Sequence, residues 1–271
     1  MSNVFNFNRL CALISRQWIS VGRIYLMSLI IMAGILIAFY GFYFARYFDE
    51  VQSGNHVGQY LLNFRVPLFF ILGLFFITVV SSSYFSDLGQ KTKAIFELMM
   101  PVSSLEKFLA SIFYTVIVSL CAYFLLFFLV DLAFVSYLRS TGSSIVTIEV
   151  ESGGKVVIDN WMYFFKLEKW EFLHYFYFFP FLLNALFLLG SIAYQNFQYI
   201  KTAITMIIYV AIWIITFIYV MKLRTDNTIN LDNGNYFDDK VHVLQLVLAI
   251  GIFLTLFFWG LAFLRLKEKE V

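Results

Sequence analysis

The side chains that could do chemistry are few and lie far apart in the sequence. The three histidines, His56, His174 and His242, occur in neither an HxxxH nor an HExxH spacing, the patterns that place metal ligands on one helix face. The chain contains neither a Gly-x-Ser-x-Gly elbow nor a Gly-x-x-x-x-Gly-Lys-Ser/Thr phosphate loop. Cys11 and Cys121 are most simply small apolar residues. The sequence therefore predicts no catalytic site, no metal site and no cofactor on this chain.

The composition points to a membrane. Only 13% of the 271 residues are charged and 61% are hydrophobic, whereas about a quarter of the residues in an ordinary soluble domain are charged. A helix needs about 20 apolar residues to cross the hydrocarbon core. Six stretches reach that length: 24–45, 66–85, 108–130, 173–193, 202–221 and 243–264. They are continuously apolar, which favours helices over the alternating strands of a barrel.

The predicted fold class is therefore an all-α integral membrane protein, with 1–271 as a single transmembrane domain. We expect the first apolar stretch to stay as a membrane anchor rather than to act as a cleaved signal peptide. Arg9, Arg16 and Arg23 precede this stretch, and 1–23 contains no acidic residue. Because basic residues accumulate on the cytoplasmic side, both termini are predicted to be cytoplasmic. The net charge of +2, without a basic tract, gives no reason to expect nucleic acid as a partner.

Two segments outside the spans have patterns of their own. Apolar residues recur at near-helical spacing over 3–20, which predicts an N-terminal interfacial helix; a plain extension of the first span is the alternative. The outer insertion, 131–171, alternates over Ile145–Val150, turns at Ser152–Gly154 and continues at Lys155–Ile158. That pattern predicts a small extracytoplasmic β-hairpin.

Individual residues in the spans carry further expectations. Pro180 lies within the fourth apolar stretch and predicts a kink. Asp131 borders the third span and is expected to reach the outer interface. Gly34 and Gly41 share a helix face, so they are candidates for contact with another membrane subunit, with lipid contact as an equal alternative.

The inner loop 85–107 is the most organised polar segment. The pattern over Lys91–Met100 predicts a short amphipathic helix that ends before Pro101. Ser103 and Glu106 form a capping-box pattern that opens the third span. The helix carries an apolar stripe of Ile95, Leu98 and Met99 with Phe96 beside it, and it carries Lys91, Lys93 and Glu97 as charged residues. The stripe is too small to form a core, so it must meet a partner or the membrane surface.

This loop resembles the corresponding segment of permease subunits of ATP-binding-cassette (ABC) transporters, in the type-2 exporter class. The similarity rests on Phe85-Ser86-Asp87-Leu88, Lys91-x-Lys93-Ala94-Ile95, Leu98-Met99-Met100-Pro101-Val102-Ser103 and Glu106-Lys107-Phe108. The six spans and the N-terminal helix extend the resemblance over most of the chain. The polar segment 222–240 departs from it, because such permeases often place re-entrant apolar helices between spans five and six.

The resemblance implies a function and partners. Residues 91–106 would be the cytoplasmic coupling helix and its cap, docking on a separate ATPase subunit that binds ATP and Mg²⁺. A second permease subunit, identical or different, would complete the pathway, and the complex would export its substrate across the bacterial cytoplasmic (inner) membrane. A non-transporting accessory or scaffold protein is the main alternative, and a lipid-modifying enzyme a weaker one. Co-purification of an ATPase distinguishes the permease from the scaffold.

Overall fold

The computed structural model describes most of the chain. The described residues are 6–46, 62–89, 102–141, 145–149, 155–159, 161–166, 173–225 and 240–270. Seven α-helices are present in them: α1 Phe7–Arg46, α2 Arg65–Tyr84, α3 Ser104–Ile112, α4 Ser119–Thr141, α5 Phe179–Ala193, α6 Gln198–Thr225 and α7 Lys240–Glu270. Shorter elements lie between them: a π-helical turn at Phe113–Val118 and 3-10 turns at Ser86–Gly89, Phe164–Lys166 and Leu173–Phe176.

Six helical segments of the described chain are long and apolar enough to cross a membrane. They are Gly22–Arg46, Arg65–Tyr84, Ser104–Ser140, His174–Ala193, Gln198–Thr216 and Val241–Lys269. Each contains or overlaps one of the six predicted spans. The architecture of a multi-pass helical membrane protein is therefore confirmed.

The N-terminal segment and the first span form one helix. α1 runs without a break from Phe7 to Arg46, because no proline or glycine pair interrupts 7–46. The predicted interfacial segment is thus continuous with the first span in secondary structure. This agrees with the alternative interpretation, in which the segment is a plain extension of that span. Its place at a membrane surface stays a prediction.

Pro180 does not kink a helix, which corrects the prediction. α5 begins at Phe179, so the proline occupies the first turn. A first-turn nitrogen has no partner within the helix, and the fixed φ of proline suits this position. The apolar stretch therefore breaks before the proline, into the 3-10 turn Leu173–Phe176 and the helix α5.

The described residues divide into two compact units. Unit 1 contains Met1–Trp18, Ile77–Ile117 and Trp170–Val271, and unit 2 contains Ile19–Phe76 and Val118–Lys169. In unit 1, α5 packs against α6 and α7. A Cβ added at Gly190 of α5 would collide with Thr202 of α6, so this glycine permits the close approach of the two helices.

In unit 2, α2 and α4 pack closely at Gly73. A Cβ at that position would lie 2.7 Å from Cε1 of Tyr123. The Tyr123 hydroxyl donates a 2.7 Å hydrogen bond to the carbonyl of Phe69. The insertion of this unit contains strands β1 Ile145–Glu149 and β2 Lys155–Asp159. They pair antiparallel, with Ile145 opposite Asp159 and Glu149 opposite Lys155, and the turn residues 150–154 lie outside the described residues.

Candidate functional site

Only the end of the predicted coupling segment lies within the described residues. Ser103 and Glu106 are described. The remaining residues of that set, Lys91, Lys93, Ile95, Phe96, Glu97, Leu98, Met99 and Pro101, lie outside the described residues, as does the polar segment 226–239 before α7.

The capping box at the start of α3 is formed as predicted. Ser103 has extended backbone angles of φ −72° and ψ 151°. Its Oγ accepts a hydrogen bond from the Glu106 amide at 3.3 Å. In return, the Ser103 amide donates to Oε2 of Glu106 at 3.0 Å. Two amide groups that lack helical partners are thereby satisfied.

Glu106 also binds the N-terminal segment, which the sequence pattern did not reveal. Its Oε1 accepts hydrogen bonds from the Asn6 amide at 2.7 Å and from Nη2 of Arg9 at 3.1 Å. The Glu106 side chain is fully buried, whereas the Arg9 side chain is 32% exposed. A contact across about 100 residues of chain leaves no local signal in the sequence. Glu106 therefore holds both the start of α3 and the start of α1.

The N-terminal part of α1 packs along α3 and the following π-helical turn. Leu13 and Ala110 are buried against each other within a cluster that also contains Leu10, Ile14 and Val102. Further along, the rings of Trp18 and Tyr114 stack at 6.3 Å between centroids. The Tyr114 hydroxyl donates to the carbonyl of Ile14. This face of the predicted interfacial helix thus contacts protein.

The polar side chains between α2, α5 and α7 of unit 1 bind one another. Nδ2 of Asn184 donates to Oγ of Ser81 at 2.7 Å, and Oδ1 accepts from Nε1 of Trp259 at 3.2 Å. Asn184 and Ser81 are fully buried. An apolar environment makes an unpaired amide costly, so these bonds account for a buried asparagine in an apolar helix.

Asp131 lies in the interior of unit 2, where it forms a second carboxylate network. Its Oδ1 accepts from the Tyr40 hydroxyl at 2.8 Å and from Nη1 of Arg65 at 2.9 Å. Its Oδ2 accepts from the Phe164 amide at 2.9 Å. The residue is only 2% exposed. The carboxylate therefore binds protein groups, and the ion pair offsets the cost of its burial, while its position at the outer interface stays a prediction.

Gly34 and Gly41 lie on a part of α1 that no other described residue approaches closely. Beyond the neighbouring backbone of α1 itself, a Cβ added at either position would meet no atom of the described residues within 4 Å. Contact with a second subunit and contact with lipid both fit this finding, so the predicted subunit contact stays a prediction.

All four carboxylate oxygens of Glu106 and Asp131 accept hydrogen bonds from protein groups. In the part of the chain that the structure describes, no group of three or more His, Cys, Asp or Glu residues could hold a metal ion. Comparison of the chain with protein-family models, with curated proteins and with solved structures finds no match.

Proposed function

We propose that the chain is a permease subunit of an ABC exporter. It would form the substrate pathway with a second permease subunit and couple to separate cytoplasmic ATPase subunits, which would bind ATP and Mg²⁺. Both termini would lie in the cytoplasm of a bacterium, and the hairpin insertion would lie on the extracytoplasmic side of the inner membrane. The proposal rests on the similarity of 85–108 to the coupling segment of such permeases, within a six-span architecture.

One structural observation supports the coupling role above the others. Glu106, in the first turn of the helix that follows the loop, binds both the Ser103 amide and the N-terminal segment of α1 at Asn6 and Arg9. A force applied to the loop would therefore reach two helices at once through partly buried, charge-assisted bonds. Such hydrogen bonds are roughly twice as strong as neutral ones. This strength suits a contact that transmits movement of the loop to the two helices.

The apolar stripe of the loop supplies the expected contact surface. Each of Ile95, Phe96, Leu98 and Met99 would contribute about 1.5–3 kcal/mol on full burial. In an ABC exporter their partner would be a groove on the ATPase subunit. If the stripe lay on the membrane instead, the same residues would bind the headgroup region and no ATPase would depend on them.

The test is co-purification and turnover of the full complex. The double variant Phe96→Asp and Met99→Asp is expected to lose the ATPase subunit and transport, because two carboxylates cannot be buried in an apolar groove without large cost. The six spans should still insert, which membrane fractionation checks. An unchanged complex with normal turnover would exclude the coupling role.

Ser103→Ala is the matched control. It removes the cap at the base of the loop but leaves the stripe intact, so the ATPase should still associate while transport per ATP hydrolysed falls. Loss of the ATPase in both variants would mean that the loop merely needs a folded α3. If no ATPase co-purifies with the unmodified protein, the scaffold function replaces the permease.

A further inference from the structure

The segment before the fourth span, Trp161–Phe165, has its backbone bound by charged side chains of the helices in unit 2. Nε of Arg139 donates to the Trp161 carbonyl at 2.9 Å. Nη2 of Arg65 donates to the Met162 carbonyl at 3.0 Å. Oδ2 of Asp131 accepts from the Phe164 amide at 2.9 Å. An irregular segment cannot pair these backbone groups internally. Each of the three is instead paired with a charged side chain.

This arrangement explains why charges are buried among apolar helices. The side chains of Arg65 and Asp131 are 2% and 3% exposed, and isolated charges at such sites are expensive. Irregular backbone is tolerated at membrane depth only where protein groups satisfy it. The ion pair supplies hydrogen-bond partners for the backbone of the segment, and the segment supplies partners for the two charges. The free-energy cost of burying each is thereby reduced. Nε of Arg65 is satisfied too, by the Leu62 carbonyl at 3.2 Å.

The other side of the segment is aromatic. The Phe164 ring packs 4.9 Å from Phe127 and 5.0 Å from Phe69, measured between centroids. The Phe165 ring packs 5.9 Å from Phe128 and is itself 47% exposed. The exposed Phe165 ring also lies 6.3 Å from Phe124 of α4, and both Phe124 and Phe128 are themselves exposed.

We propose that Trp161–Phe165 is a membrane-inserted anchor, which places the Phe165 face in the boundary between lipid headgroups and acyl chains. Asp131, Arg65 and Arg139 are its positioning residues, because they bind its backbone. The occupant of the exposed face is lipid, because the exposed rings beside Phe165, Phe124 and Phe128, belong to a segment long and apolar enough to cross a membrane, and because apolar aromatic rings are buried at the boundary between headgroups and acyl chains. The anchor fixes the end of the insertion that carries the β-hairpin, and it does not depend on the proposed transport function.

The lipid contact is tested with single-cysteine variants in lipid nanodiscs. Cys11 and Cys121 are replaced by alanine, and the reporter is Phe165→Cys, with Glu268→Cys as control because the Glu268 side chain is 62% exposed. A bimane probe at 165 should be quenched by lipids brominated on the acyl chain, and that at 268 should not. A soluble maleimide should label position 165 at least tenfold more slowly than position 268.

The outcomes separate the alternatives. Rapid labelling without quenching would place Phe165 in water and overturn the anchor. Slow labelling without quenching would mean that protein, such as a second copy of the chain, covers the face, and would overturn lipid as the occupant.

The positioning role is tested by hydrogen exchange of the peptide that carries the Phe164 amide. Asp131→Ala should speed this exchange at least tenfold, whereas Arg265→Gln should leave it unchanged. If Asp131→Ala fails to fold, the double variant Arg65→Gln and Asp131→Ala removes the unpaired charge and should show the same faster exchange. Exchange that stays slow in a folded variant would contradict the role of Asp131.

Discussion

The two buried carboxylates among the described residues, one in each unit, bind similar groups but hold different parts of the protein. Glu106 accepts from two amides and from Arg9, and Asp131 accepts from one amide, from Tyr40 and from Arg65. Glu106 lies at the start of its helix, where amide groups need acceptors anyway. Asp131 lies inside α4, where the helix itself needs nothing from it. Its partners come from other elements, so its role is tertiary.

The two carboxylate networks differ in how exposed their arginine side chains are. The Arg9 side chain is 32% exposed, but that of Arg65 is 2% exposed. Water can replace Glu106 as a partner of Arg9, whereas Arg65 would be left as a buried, uncompensated charge. Removing one member of a buried pair is therefore far more damaging than removing one member of a partly exposed pair.

The largest effect is expected for Asp131→Ala. The variant leaves Nη1 of Arg65, the Tyr40 hydroxyl and the Phe164 amide without their acceptor, and should lower the free energy of unfolding by about 3–5 kcal/mol. Chemical denaturation in mixed micelles measures this change. Adding Arg65→Met should recover part of the loss, because no buried charge then remains. A loss below about 1 kcal/mol would refute the tertiary role assigned to Asp131.

Glu106→Ala should have an intermediate effect. Two amides and Arg9 lose a charged acceptor, and hydrogen bonds to charged groups contribute about 1.5–3 kcal/mol each. Because Arg9 and the Asn6 amide can turn to water, we expect a total loss of about 2 kcal/mol. The same denaturation measurement checks it. A loss as large as that of Asp131→Ala would show that exposure of Arg9 does not separate the two networks.

Ser103→Ala should be milder, since it removes one of the two bonds of the capping box. Loss of an N-cap side chain costs about 1 kcal/mol. The helix start should fray, which hydrogen exchange at the Glu106 amide would detect as faster exchange. Unchanged exchange would mean that the Glu106 carboxylate alone holds the first turn.

The smallest effect belongs to Arg265→Gln. Arg265 and Glu268 form a 2.9 Å ion pair whose side chains are 63% and 62% exposed. Solvent screening leaves such pairs worth under about 1 kcal/mol, so the free energy of unfolding should hardly change. A larger loss would show that this end of α7 is less accessible to water than its exposure indicates.

The sequence by itself determined the membrane class, the six spans and the capping box at Ser103 and Glu106. Each of these depends on neighbours in the chain: the length of an apolar run, or the reach of a side chain to an amide three residues away. Pro180 shows the limit of this local reading, because a proline within an apolar stretch fits both a kink and a helix start.

Only the tertiary structure decided what the buried charges bind. Asp131 and Arg65 are 66 residues apart, and Arg9 and Glu106 are 97 apart. The Met162 and Phe164 backbone groups that complete the Asp131 network carry no sequence signal, since every residue except proline has the same amide and carbonyl. Their role depends on which segment packs beside the carboxylate. That choice is made when the helices pack, because burial raises the cost of an unpaired polar group and so favours an arrangement in which the carboxylate and these backbone groups find partners.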